Sequence, residues 1–85
     1  MKKEELNRRT QEYMSLYIKK SNVPPARFGK SLYIRQEHHE RISQIVSVIG
    51  KGTVTLYEYV DNVLNEHFDR HFEEIAQLFN KRRIY

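Results

Sequence analysis

The spacing of apolar positions changes period along this chain, and each change marks a predicted element. From Met1 to Ser21 only Leu6, Tyr13, Met14, Tyr17 and Ile18 could share a helical face. So little apolar content in the first turns predicts a frayed helix that orders on binding. Asn22 to Gly29 reads N-V-P-P-A-R-F-G, and Pro24-Pro25 forbids helix continuation. The chain is therefore divided into an arm, 1–29, and a folded domain, 30–85. The next stretch, K-S-L-Y-I-R-Q-E from Lys30 to Glu37, alternates Leu32 and Ile34 with Ser31, Tyr33 and Arg35, the period of a strand.

Period two then gives way to helical spacing. Ile42, Ile45, Val46 and Ile49 fall at i, i+3, i+4, i+7, with Glu37 and Glu40 in the first turn and Gly50 positioned to stop the helix. T-L-Y-E at Thr55 to Glu58 is a capping-box spacing. Leu56, Tyr59, Val60, Val63, Leu64, His67 and Phe68 follow on one face, continued by Phe72, Ile75, Leu78 and Phe79. The pattern runs to about Lys81, which predicts one helix of about 27 residues, roughly 40 Å long. A competing reading exists for Ile45 to Tyr57: its β-branched residues around Gly50-Lys51-Gly52 suit a hairpin and a three-stranded α+β domain. The capping box and the 42/45/46/49 spacing favour two helices.

One strand before two helices lacks a partner for its backbone groups. The simplest supplier is the same strand of a second copy, so the expected fold is mostly α: a ribbon-helix-helix homodimer with antiparallel strands paired across a two-fold axis. Leu32, Ile34, Ile42, Ile45, Val46, Ile49, Val60, Val63 and Leu64 are its expected shared core, with Leu56, Tyr59 and Phe68 beside them. At 85 residues the chain is short enough for a shared core to be an expected remedy, since such a domain buries only about 60% of its unfolded surface.

Charge sharpens the picture. Residues 1–30 hold eight Lys or Arg against three Glu, a net +5, whereas 31–85 hold seven against eight acidic residues, a net −1. A basic arm ahead of a near-neutral domain is a common arrangement in proteins that touch nucleic acid, and equally a solubilising tail. There is no cysteine, which excludes disulfides, thiolate metal sites and cysteine nucleophiles. No apolar run approaches a membrane span, and a cytoplasmic protein is expected.

A two-stranded ribbon fits the DNA major groove. Ser31, Tyr33 and Arg35 would then face the bases, Arg35 able to give two hydrogen bonds to a guanine; its alternative is a surface ion pair with Glu37. Lys30, Arg27 and Lys51 with Thr55 are the phosphate-contact candidates, Thr55 offering a helix N-terminus that is equally an ordinary cap. Lys19-Lys20 would add salt-sensitive attraction. His67 and His71 have the i, i+4 spacing of a metal pair, but H-F-D-R-H supplies nothing to complete it, so no metal and no cofactor are expected. No catalytic motif is recognisable, and enzyme activity is not expected.

The run S-L-Y-I-R-Q-E-H-H-E-R-I-S-Q-I-V-S-V-I-G, followed by V-T-L-Y-E-Y-V-D-N-V-L-N-E-H-F, resembles a family of uncharacterised small proteins encoded in transfer regions of Bacteroides-type conjugative transposons. The resemblance covers about Ser31 to Phe79. It implies a ribbon-helix-helix fold and a role connected with mobile DNA. The order of elements is also similar to the wider group that includes the Arc and MetJ repressors, whose ribbons commonly present Arg, Lys, Asn, Gln or Thr. Tyr33 departs from that pattern, since tyrosine is a weaker base reader than a bidentate side chain. The expected function is a homodimeric duplex-DNA binder, a regulator or transfer accessory factor. The rival is a helical interaction module that contacts conjugation or partition proteins without DNA.

Overall fold

The structure, a computed structural model, describes residues 2–82. Its elements are α1 (Lys2–Tyr17), α2 (Gln36–Gln44), α3 (Leu56–Arg70) and α4 (Phe72–Arg82), with a 3-10 turn at Ala26–Phe28 and a π-helical turn at Ile45–Ile49 that prolongs α2. α3 is the central element, and α1 and α2 both pack against it. The capping box forms as the T-L-Y-E spacing predicts. The Thr55 hydroxyl accepts the Glu58 N–H at 3.1 Å, and a Glu58 carboxylate oxygen accepts the Thr55 N–H at 3.0 Å.

The α2–α3 connection resolves the hairpin ambiguity in favour of helices. Ile45–Ile49 continues α2 with a wider turn, closed by the Gly50 N–H on the Ile45 carbonyl at 3.0 Å, five residues back. Gly50 is needed for space rather than for its dihedral: a Cβ there would lie 2.6 Å from the Val46 carbonyl oxygen and 3.3 Å from Val54 Cγ2. The left-handed residues are Lys51 (φ 51°) and Gly52 (φ 77°), in a tight turn closed by the Thr53 N–H on the Gly50 carbonyl at 2.9 Å. That turn carries Val54 back under the helices, where it is buried.

The ribbon-helix-helix expectation is overturned. Every regular element among the described residues is helical, and Lys30–Arg35 forms no strand. Leu32 and Ile34, expected in a shared core, are exposed in this unpaired stretch, Leu32 by 85% and Tyr33 by 99%. Period-two alternation marks residues that could lie on a pleated surface; it does not supply the neighbouring backbone that makes a strand. Among the described residues no other segment pairs with it. Arg35, already extended (φ −63°, ψ 148°), instead becomes the residue from which α2 starts.

The single long helix is also corrected. It breaks at His71 (φ −109°, ψ 22°) into α3 and α4. The bonds from His71 N–H to His67 O (3.1 Å) and from Ile75 N–H to His71 O (2.9 Å) remain on either side. Glu73 and Glu74 then occupy the first turn of α4, where carboxylates suit a helix N-terminus. The helix expected to be frayed before Ser21 is formed from Lys2 to Tyr17.

The apolar core of one chain is small. Val54 and Tyr59 are its buried hydrophobic residues, while Ile42, Ile45, Val46, Val60 and Val63 are half-buried and Ile49 and Leu64 are exposed. Replacing Gly50 by Ala should therefore destabilise the chain by about 1–3 kcal/mol, the usual cost of forcing a group into occupied space. Urea unfolding followed by circular dichroism measures it, and an unchanged midpoint would contradict the close approach to Val46.

Candidate functional site

Glu58 and Asn62 are the buried polar side chains, one helical turn apart on α3, and both point at the end of α1. The last carbonyls of a helix have no partner within it. The Asn62 amide donates to two carbonyls there, Tyr17 O at 3.1 Å and Lys19 O at 2.9 Å. Glu58, which already caps α3 through one oxygen, accepts the Ser21 N–H with the other at 3.1 Å. The Ser21 hydroxyl donates to Asp61 at 2.6 Å, and Asn65 donates to the same Asp61 oxygen at 3.0 Å. A single carboxylate thus ties the start of α3 to the exit of α1.

Three tyrosines complete the joint. The Tyr13 and Tyr59 hydroxyls share a hydrogen bond at 2.5 Å, and the Tyr17 ring stands edge-on to Tyr13 with centroids 4.9 Å apart. Burial, then the bond to Tyr13, pushes the Tyr59 phenol well above its ordinary pKa, so it stays neutral. Glu58 moves the other way. The backbone N–H groups of Thr55 and then Ser21 hold its carboxyl below the usual carboxylate range.

This joint fixes where the basic half of the chain lies. Lys19 and Lys20 emerge directly beyond the Asn62 contacts and are exposed. Past the two prolines, the 3-10 turn carries Arg27, whose guanidinium lies 4.9 Å from the centroid of the Phe28 ring. A Cβ on Gly29 would be 3.8 Å from the Tyr57 hydroxyl, so this turn runs beside the first turn of α3. Lys30, Ser31, Tyr33 and Arg35 follow along one exposed segment without regular structure.

The residues singled out from the sequence are thus partly brought together. Arg27, Lys30, Ser31, Tyr33 and Arg35 share one surface stretch. Arg35 pairs with Glu37 at 2.6 Å, the ion pair that was its alternative, with both side chains about 70% exposed. Such an exposed pair is worth little and can exchange for another acceptor. Lys51 sits apart from that segment in sequence, at the tip of the Gly50–Thr53 turn, and both polar groups of Thr55 are engaged in the α3 cap. The ring centroids of His67 and His71 are 5.0 Å apart, and His71 Nδ1 meets Glu74 at 3.0 Å. Among the described residues no group of three or more His, Cys, Asp or Glu could hold a metal ion, and no helix is long and apolar enough to cross a membrane.

Sequence reasoning placed Glu58 in the cap but missed its bond to Ser21, and it missed Asn62 altogether. A signal was present. Glu58 and Asn62 stand four apart and flank Tyr59, on an amphipathic helix where interior polar side chains must find partners.

Residues 1–82 match the model of a family described as a protein of unknown function (DUF3408), and the chain belongs to that family. No curated protein and no solved structure matches it.

Asn62→Ala should loosen α1 from α3, costing about 1–3 kcal/mol for the two carbonyls left unsatisfied. Faster amide exchange in α1 than in α2 would identify the joint as the element lost. The joint is also pH-dependent. Because the folded pKa of Glu58 is depressed, its stabilisation is complete above the unfolded carboxylate value of about 4.3 and fades as pH falls through the lower folded value. The drop in Tm between pH 7 and pH 3 should therefore be smaller in Glu58→Gln than in the parent chain. Equal drops would exclude Glu58 as a contributor.

Proposed function

We propose that the chain binds duplex DNA through the basic half from Lys2 to Arg35, as an accessory factor or regulator of a mobile element. The observation that carries this reading is a set of cations without counter-ions. The eight Lys and Arg from Lys2 to Lys30 are all exposed, and none makes an ion pair among the described residues. Cations arranged so release condensed counter-ions from a phosphate backbone. The joint at Asn62 and Glu58 supports the reading further, because it holds Lys19 and Lys20 on the body instead of leaving them on a loose tail. The link to mobile DNA rests on the resemblance of the Ser31–Phe79 run to proteins of conjugative transposon transfer regions.

Binding of this kind needs no paired strands. The 3-10 turn and the exposed segment after it reach the DNA unpaired, with Arg27 and Lys30 on phosphates and Arg35, released from Glu37, toward a base edge beside Ser31 and Tyr33. Backbone contacts set most of the affinity, and Arg35 contributes what sequence preference there is. A second reading is favoured by a different observation. Large apolar side chains, including Phe28, Leu32, Phe68 and Phe72, are exposed, as suits an interaction module that docks on conjugation or partition proteins.

Fluorescence anisotropy on duplex DNA across a salt series separates the two. DNA binding predicts log affinity falling linearly with log salt, with the slope reduced by about 1 for each phosphate-contacting residue removed, as in Arg27→Ala or Lys30→Ala. Arg35→Ala should relax discrimination between duplexes by about 1–3 kcal/mol. Absence of binding at low salt would sink this reading and leave the interaction module.

A further inference from the structure

α4 is the one helix without a packing partner comparable to those of α1 and α2 among the described residues. It is nonetheless clearly amphipathic: Phe72, Ile75, Ala76 and Phe79 fall at i, i+3, i+4, i+7 on one face. Phe72 and Phe79 are 69% and 64% exposed. An isolated helix of 11 residues is marginal in water, so packing must supply what propensity cannot.

We propose that this face is covered by the same face of a second copy, the two α4 helices packing antiparallel across a two-fold axis. Area is the first argument. The chain exposes 8042 Å², whereas a compact monomer of 10.3 kDa exposes about 5,400 Å². The excess, roughly 2,600 Å², is spread over the whole chain, and Phe72 and Phe79 are the share of it that an α4 pair would cover. Charge selects the occupant and its direction. α4 begins with Glu73 and Glu74 and carries Lys81 in its last turn, so an antiparallel pair sets each acidic end beside the partner's basic end and opposes the two helix dipoles. A self-complementary face of this kind is what a two-fold axis requires. Ala76, the small residue near the middle of the face, marks the point of closest approach.

This interface differs from the strand pairing expected of Leu32 and Ile34, and it does not depend on DNA binding. Because the chain has no cysteine, Ala76→Cys creates a single thiol. In the full chain, sedimentation equilibrium should give a dimer. Ala76→Cys should convert on mild oxidation to a disulfide-linked species of that same mass, while Gln11→Cys on α1 should not. Ile75→Asp should raise the dimer dissociation constant by about two orders of magnitude or more, the scale of burying an unpaired carboxylate. Should Ile75→Asp lose helix, the cysteine variants still decide. A monomeric parent chain at about 100 μM overturns the proposal and assigns the face to another partner. A dimer in which Ala76→Cys cross-links no faster than Gln11→Cys overturns it by placing the interface elsewhere.

Discussion

The structure depends on one polar joint, the contact of Glu58 and Asn62 on α3 with the backbone leaving α1. A chain this short usually relies on a hydrophobic core to set the angle between helices, and here that core is Val54, Tyr59 and a fringe of half-buried Ile and Val. Hydrogen bonds therefore do work that packing does in larger domains. They are directional, and each one names a specific partner: the Tyr17 and Lys19 carbonyls accept from Asn62, and the Ser21 N–H donates to Glu58. A dispersed apolar contact would tolerate sliding of α1 along α3. These bonds do not, because a shift of one residue would leave a buried amide and a buried carboxylate unpaired.

From that joint the surface divides. Cations collect on α1 and the segment after it, all of them exposed. Exposed apolar side chains lie on α3 and α4, at Leu64, Phe68, Phe72, Leu78 and Phe79, and also within the basic half, at Leu6, Phe28, Leu32 and Tyr33. The two surfaces call for different partners. Electrostatic attraction to a polyanion is long-ranged and salt-sensitive, whereas apolar burial is short-ranged and indifferent to moderate salt. The basic residues of α1 and the apolar face of α4 lie on separate elements and can be used at the same time, and that is the physical reason to assign those two to different partners.

Much of the helical architecture was legible in the sequence because its signals are local. The T-L-Y-E cap, the 42/45/46/49 stripe and the glycine turn each depend on residues a few positions apart, and all are present. What was not legible is non-local. Leu32 and Ile34 alternate like a strand, but a strand exists only through its neighbour, and the sequence of one chain does not say that the neighbour is missing. His71 interrupts a stripe that reads as continuous from Leu56 to Phe79. Without a proline or glycine there, periodicity had no mark for the break. The pairings of Asn62 with Tyr17 and of Glu58 with Ser21 span 45 and 37 residues, beyond any spacing rule. The surface candidates fared according to the same logic. Arg27, Lys30 and Arg35 are neighbours along one exposed stretch, whereas Lys51 belongs to a separate turn.

The polar joint also explains why an under-packed chain can hold a definite shape before it meets a partner. Burying Tyr59 beneath Tyr13 and Tyr17 adds aromatic contact at the site where the hydrogen bonds fix the geometry, so α1 and α3 are preorganised relative to each other. α4 is outside this joint. It follows α3 only through the turn at His71, with the Glu74 carboxylate on the His71 ring at its start, and its direction is set by two backbone bonds and one exposed side-chain hydrogen bond. Preorganisation is thus strong at the exit of α1, which carries Lys19 and Lys20, and weak at α4. A polyanion would meet a surface already in place. The apolar helix would take its final packing from whatever covers it, and so ordering at α4 and binding at α4 are one event.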